Sequence, residues 1–234
     1  MKRTMLALLC LALVVSGCAE RPQLPSPTVA PIETPTETVA PVAEPPAPTE
    51  FGGDALAAFG EVCRNERRFF AVMHKETLET YLDDLYLSAD SDMLWEIGAF
   101  AVVDMDGDDV PEVILEEARF GDRLVLYFDD GAVYGYDAPY RGMIALKTDG
   151  TFNFSSGAAD NGFARLEFYG GIAEAQVFAE SNSEYVDSEL EVAYYIERRA
   201  VMESEFFEFT EAWFARDDAE WFEFTGENIA LRLA

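Results

Sequence analysis

The sequence is poor in histidine and in cations, and both shortages bear on function. Its single histidine, His74, excludes metal centres and acid–base schemes that use several imidazoles. Its 16 Lys and Arg are outnumbered by 45 Asp and Glu, so the formal net charge is −29 at pH 7. Nucleic-acid binders need clustered cations, and the paired cations Arg67-Arg68 and Arg198-Arg199 lie among acidic residues. We therefore expect no nucleic-acid partner.

The sequence also lacks the common catalytic motifs. It has no GxSxG elbow, no GxxxxGK(S/T) phosphate loop, no GxGxxG turn, no HExxH pair and no CxxC pair. We predict no catalytic residue and expect a binding protein rather than an enzyme. Two alternatives stay open: a hydrolase of cell-wall or glycan substrates that uses paired carboxylates, and a solute-binding protein. The second is weaker because solute-binding proteins usually need two lobes and a longer chain.

The N-terminal residues 1–18 have the three parts of a secretory signal. Lys2 and Arg3 give a basic start, and Met5 to Val15 is an apolar run that is too short to span a bilayer, which takes about 20 residues. The run ends in Val15-Ser16-Gly17-Cys18, which resembles the lipobox of bacterial lipoproteins. The resemblance implies cleavage before Cys18 and acylation of its sulfur. We therefore expect a protein anchored to the membrane through its N-terminal lipid and facing outside the cytoplasm.

Cysteine usage fits this interpretation. Of the three cysteines, Cys10 would leave with the signal and Cys18 would carry the lipid. Cys63 would then be the single remaining thiol, so an intramolecular disulfide is excluded. Cys63 lies among apolar residues at helical spacing, and we predict that it is a small buried hydrophobe.

Residues 19–50 have the composition of a disordered tether rich in proline and threonine. Proline fixes φ and removes a hydrogen-bond donor, so the segment favours extended polyproline-II geometry over helix or sheet. A recognised PxxP ligand at Pro22 to Pro25 is the alternative. The prolines of this segment are Pro22, Pro25, Pro27, Pro31, Pro35, Pro41, Pro45, Pro46 and Pro48.

Residues 51–234 are predicted to form a single globular domain, since 50% of the chain is apolar and 13% is aromatic. The domain begins with a helical pattern, and Thr77 to Leu87 is predicted to be a second short helix. A strand at Leu190 to Glu197 and a helix around Trp213 follow near the end. The apolar positions of the first helical pattern are Leu56, Phe59, Cys63, Phe70 and Met73.

The middle of the domain has the short runs and turn dipeptides of an antiparallel meander. Apolar runs occur at Ala99 to Val103, Val113 to Leu115 and Leu124 to Phe128. We therefore predict an α+β fold, an antiparallel β meander with N-terminal and C-terminal helices packed on it. The dipeptides suited to hairpin turns are Asp130-Gly131, Asp149-Gly150, Asn161-Gly162 and Gly170-Gly171.

The most specific chemistry lies in residues 104–112, between two of these apolar runs. Asp104, Asp106, Asp108 and Glu112 occupy the first, third, fifth and ninth positions, and the Val110 carbonyl occupies the seventh. Such a set surrounds one point with oxygens, as Ca²⁺ requires. An ion there would offset the mutual repulsion of the carboxylates. The alternative is an acidic turn that binds no metal.

The loop does not match an EF-hand, because Asp109 stands at the sixth position, Leu115 stands at the twelfth, and the flanks are strand-like. It resembles the calcium loop of FG-GAP and VCBS-type β repeats, whose pattern is Asp-x-Asp/Asn-x-Asp-Gly-x-x-Asp between two strands. The chain departs from that pattern at Asp109, where glycine is usual, and at Glu112, where Asp is usual. By position, the ligands that the resemblance implies are Asp104, Asp106, Asp108, the Val110 carbonyl and Glu112.

Anchor, tether and loop together resemble a broad set of small bacterial lipoproteins, most without an assigned activity. We therefore expect a lipid-anchored envelope protein with a structural Ca²⁺ ion. Its folded domain would bind an unknown envelope or host protein, or a glycan.

Overall fold

The computed structural model describes residues 53–73, 76–85, 94–138 and 141–234. The predicted signal segment, Cys18, the predicted tether and His74 lie outside these residues. Among the described helices, none has the length and apolarity needed to cross a bilayer. The described helices are α1 (Gly53–Cys63), α2 (Glu203–Phe214) and α3 (Gly226–Arg232), and a short 3₁₀ turn spans Leu82–Asp84.

The first sheet has seven strands in the order β13-β3-β4-β5-β6-β1-β2. Neighbouring strands are antiparallel except β1 and β6, which are parallel. The central strands are buried on both faces, which is why they are nearly continuous apolar runs. The strands are β1 (Phe69–Met73), β2 (Glu76–Thr80), β3 (Ile97–Val103), β4 (Glu112–Glu117), β5 (Arg123–Asp129), β6 (Ala132–Ala138) and β13 (Trp221–Glu223).

The second sheet has six antiparallel strands in the order β12-β11-β10-β9-β8-β7. Its longest strand, β10, has 15 residues. The strands are β7 (Ala145–Leu146), β8 (Phe152–Ser155), β9 (Asn161–Tyr169), β10 (Ile172–Val186), β11 (Glu189–Ile196) and β12 (Arg199–Val201).

Three apolar clusters hold these layers together. α1 and α3 pack on one face of the first sheet around Phe59 and Phe100. At Gly60 a Cβ would collide with the Leu233 carbonyl oxygen, so only glycine permits this approach of the helix to the C-terminal segment. The opposite face of the first sheet shares a core with the second sheet, and α2 covers the far face of the second sheet through Phe206 and Trp213.

The structure confirms the predicted α+β class, the meander and the helices packed on it. Asp130-Gly131 joins β5 to β6 with φ values of 46° and 80°, and Gly170-Gly171 joins β9 to β10 with φ values of 57° and 73°. Asp149-Gly150 connects β7 to β8. The first two dipeptides adopt the positive φ at both residues that tight hairpin turns need, whereas in the third only Gly150 does, with a φ of 76°.

Two helix predictions were wrong. α1 ends at Cys63, and Asn65 then adopts a φ of 60°, so Phe70 and Met73 belong to β1 instead of the helix. The aromatic and β-branched run Phe69–Met73 favours a strand once it pairs with β2 and β6. Thr77 to Thr80 likewise belongs to β2, and within the described residues 77–85 the helical part is the 3₁₀ turn at Leu82–Asp84. The last two residues of the predicted helix, 86 and 87, lie outside the described residues.

One turn prediction was also wrong. Asn161-Gly162 lies within β9, and the turn falls earlier, where Ser156 N–H donates to the Asp160 carbonyl at 3.0 Å. A Cβ at Gly162 would collide with the Phe154 ring on β8. Glycine is therefore needed here for close packing between strands instead of for a turn.

Candidate metal centre

The acidic loop connects β3 to β4, two neighbouring strands inside the first sheet. The strands pair from Val103↔Glu112 onward, so both ends of the loop are fixed by the sheet. Loops carried by a rigid scaffold are common places for binding residues. The loop therefore lies between two strands, as the FG-GAP and VCBS-type loops do. An EF-hand loop would have helices on both sides.

Carboxylates within the loop hold its backbone in a tight curl. Asp104 accepts hydrogen bonds from Gly107 N–H at 2.7 Å and from Asp109 N–H at 3.2 Å. Asp106 accepts from Asp108 N–H at 3.2 Å, and Asp108 accepts from Val110 N–H at 2.7 Å. Three of these four bonds reach backbone two or three residues ahead, which is typical of Asp in turns.

The backbone of Asp109 adopts a φ of 67°. This is the position at which the resembling loops usually have glycine. Asp is one of the residues that tolerate left-handed backbone, because its short side chain bonds locally. The departure from the glycine pattern therefore leaves the curl of the loop intact.

The structure brings three of the predicted ligands together. One carboxylate oxygen from each of Asp104, Asp106 and Asp108 lies within 4.8 Å of the others. Within the described part of the chain, no Lys or Arg forms an ion pair with any of the three. Burial raises the pKa of Asp106, and the charges of Asp108 and Asp104 raise it further. Hydrogen bonds from the backbone N–H groups of Asp108 and Phe168 partly offset these effects.

Glu112 is the most buried acid of the loop, with 3% of its surface exposed. Its Oε2 accepts a hydrogen bond from Met105 N–H at 2.7 Å. Burial raises the pKa of Glu112 to about 9, and the charges of Asp106, Asp108 and Asp104 add to the effect. The carboxyl therefore lies within the electrostatic reach of the three aspartates while it binds the loop backbone. Ligation by Glu112 and by the Val110 carbonyl stays a prediction.

The second sheet packs against the loop at Met105. Met105 is buried in the core between the two sheets. Gly150, in the β7–β8 turn, approaches so closely that a Cβ there would lie 2.5 Å from Met105 Cα. Sequence reasoning assigned Gly150 to a hairpin turn alone, since a contact between distant segments has no local signal.

Comparison of the chain with protein-family models, with curated proteins and with solved structures finds no match.

Proposed function

We propose that this chain is a lipid-anchored envelope protein that faces outside the cytoplasm, and that its folded domain binds Ca²⁺ in the loop 104–112. The stabilised domain serves as a binding module for a protein or a glycan. The observation that carries the proposal is the convergence of the Asp104, Asp106 and Asp108 carboxylates, without a cationic partner among the described residues.

The separation of the three oxygens suits one ion of this size. Ca²⁺ binds oxygens at about 2.3–2.6 Å, so two ligands of one ion lie at most about 4.6–5.2 Å apart. The three aspartate oxygens lie within 4.8 Å of one another. They repel one another at this distance, and a divalent ion between them would replace repulsion by attraction.

A structural role for the ion follows from the position of the loop. The loop joins two strands inside the first sheet, and its Met105 belongs to the core. An ion at Asp104, Asp106 and Asp108 would therefore stabilise the connection between β3 and β4. Cys18 and the proline-rich segment support the remaining part of the proposal, because they would attach this domain to the membrane and hold it at a distance.

The test is Ca²⁺ binding by the full chain in a neutral detergent, measured by calorimetry and by thermal unfolding. At a hundredfold excess over Kd, the ion should stabilise the fold by about 2.7 kcal/mol, which raises Tm by roughly 5–11 °C for a domain of this size. Replacement of Asp104 and Asp108 by Ala should abolish both signals.

Asparagine variants separate charge from loop geometry. Asp106→Asn and Asp108→Asn retain an oxygen that can accept the hydrogen bonds from Asp108 N–H and Val110 N–H, but they lose a negative charge, so each should weaken Ca²⁺ binding. Asp109→Asn is the matched control, since Asn also tolerates the φ of 67° and Asp109 lies outside the converging group. Absence of heat and of a Tm shift at millimolar Ca²⁺ in the unmodified chain would refute the calcium site.

A further inference from the structure

The β10–β11 hairpin extends past the region of the second sheet that other strands cover. β11 pairs with β10 along its whole length, from Glu189 to Ile196. On its other side β12 pairs with β11 only at Tyr194 to Ile196. Within the described residues, no strand pairs with the outer edge of β11 between Glu189 and Ala193. This outer edge, called the β11 edge below, therefore has backbone N–H and C=O groups available to another strand.

One face of the hairpin carries the apolar side chains of β11, although Ser183 of β10 is directly opposite Val192 on this face. Tyr185 is directly opposite Leu190, and these side chains are 77% and 50% exposed. Val192 and Tyr194 follow on the same face. The centre of the Tyr194 ring lies 6.1 Å from the centre of the ring of Phe207, an exposed residue of α2. Exposed apolar side chains in one continuous strip are typical of interaction surfaces.

The opposite face is acidic. Glu184 is directly opposite Glu191, and Glu189 lies two residues away on the same face. Like charges in this arrangement destabilise a strand pair. No Lys or Arg in the described part of the chain forms an ion pair with these three glutamates. β11 therefore alternates apolar and acidic side chains along a free edge.

The acidic face determines which kind of strand can pair with the β11 edge. A second copy of the chain would place its own Glu184, Glu189 and Glu191 against the same acids, and a net charge of −29 opposes association in general. Glutamates on an edge strand commonly prevent such self-pairing. A strand with basic side chains meets attraction at the same positions, and its alternate apolar side chains meet Leu190 and Val192.

We propose that the β11 edge is a docking site for an extended segment of a partner protein that alternates basic and apolar residues. The segment adds to the second sheet as a further strand beside Glu189 to Ala193. Backbone hydrogen bonds supply part of the affinity, and alternate side chains supply the selectivity. The inference rests on the proposed function in that it takes the domain to be a partner-binding module, but it does not require the calcium ion.

The probe is a labelled peptide of alternating Lys and Val, about six residues long, the usual length of a strand. Its binding to the full chain in a neutral detergent is followed by fluorescence anisotropy, with empty micelles as the blank. We expect saturable binding that weakens as salt is added. A peptide of alternating Glu and Val, and a Lys/Val peptide N-methylated on the N–H groups that would face β11, should not bind.

Variants locate the site. The pair Glu184→Lys and Glu191→Lys should weaken binding on the order of tenfold, since each exposed charge pair contributes modestly, and Leu190→Ser should weaken it further. Glu79→Lys is the matched control, because Glu79 is an exposed glutamate on β2, the edge strand of the first sheet. The proposal would be overturned if Glu79→Lys weakened peptide binding as much as the Glu184→Lys and Glu191→Lys pair does. Binding of the N-methylated peptide would overturn it as well.

Three further outcomes are decisive. A dimer of the full chain in sedimentation that Leu190→Ser dissociates would assign the edge to a second copy and overturn the proposal. If the unmodified chain does not bind the Lys/Val peptide but still responds to Ca²⁺, the docking proposal is overturned and the calcium site is not affected. Peptide binding without any Ca²⁺ response would support the docking site and refute the calcium site alone.

Discussion

Lys147 is a buried cation that links the second sheet to the end of α2. Its surface is 2% exposed. Its Nζ donates to the carbonyl oxygens of Phe214 at 3.1 Å and Arg216 at 3.0 Å, and to the Asp218 carboxylate at 2.6 Å. The same ammonium lies 4.9 Å from the centre of the Trp213 ring. A positive charge at the C-terminal end of a helix also interacts favourably with the helix dipole. We predict that Lys147→Met destabilises the fold although methionine fills a similar volume.

The expected loss is the balance of opposing effects. Each hydrogen bond from a charged group contributes about 1.5–3 kcal/mol, and the contact with Trp213 adds about 0.5–2 kcal/mol. Removal of the ammonium also removes its desolvation cost, which is several kcal/mol. Asp218, with a side chain that is 74% exposed, regains water after the change. We therefore expect a net loss of about 2 kcal/mol, which lowers Tm by roughly 4–8 °C.

The assay is urea unfolding of the full chain, followed by tryptophan fluorescence, because Trp213 lies beside the altered side chain. Asp218→Asn is the control and should cost less than Lys147→Met, since the Asp218 side chain is 74% exposed and the Asn oxygen can still accept a hydrogen bond from Lys147 Nζ. A Lys147→Met protein that unfolds at the same urea concentration as the unmodified chain would refute the reasoning. An equal loss in Asp218→Asn would also refute it, because the stabilisation would then come from the ion pair instead of the carbonyl contacts.

Three predictions concern the cysteines. Cys18→Ala should abolish incorporation of labelled palmitate in cells, and retained label would contradict the lipid anchor. Burial raises the pKa of the Cys63 thiol from 9.0 to about 12, so Cys63 should resist a thiol reagent at pH 8 in the folded chain and react once the chain is unfolded in urea. The unfolded thiol ionises near pH 9 and the folded one does not, so stability should fall as the pH rises from about 9 towards 12. A Cys63→Ala variant should lose that part of the pH dependence, and a reactive Cys63 in the folded chain would contradict the prediction.

The parts of the fold that local sequence could predict are those whose local and tertiary preferences agree. The alternation from Leu190 to Ile196 predicts β11, and Asp130-Gly131 and Gly170-Gly171 predict their turns, since each pattern has one favourable backbone solution. Phe69–Met73 has apolar residues that fit either a helix or a strand. Its pairing with β6, more than fifty positions along the chain, decides between them.

Some turns have no strong sequence signal. Asp187-Ser188 joins β10 to β11 with φ values of 49° and 72°, and Glu197-Arg198 joins β11 to β12 with φ values of 49° and 63°. Neither dipeptide contains glycine, which most tight hairpin turns use at positive φ. The pairing of the flanking strands stabilises these conformations, so they could not be predicted from the turn residues.

The candidate metal centre was predictable to the extent that spacing determines it. The alternation of Asp104, Asp106 and Asp108 within a tight turn is enough to place three carboxylates together. The hydrogen bond from Met105 N–H to Glu112 and the approach of Gly150 to Met105 depend on the packing of the second sheet. Contacts of this kind join segments that are distant in the sequence, so local sequence patterns do not predict them.

Backbone shape, more than charge, distinguishes the two acidic surfaces of this domain. Ion pairs in the described part of the chain hold eight of its cations near individual carboxylates. Acids far outnumber cations in the chain, so charge alone does not single out one acidic surface. The loop 104–112 curls, and its oxygens converge on a point, which suits one small hard cation. Glu184 and Glu191 lie on extended strands, so with Glu189 the charges form a row beside a free strand edge. A row of that kind suits an extended chain with several cations, and it is unsuited to a single ion.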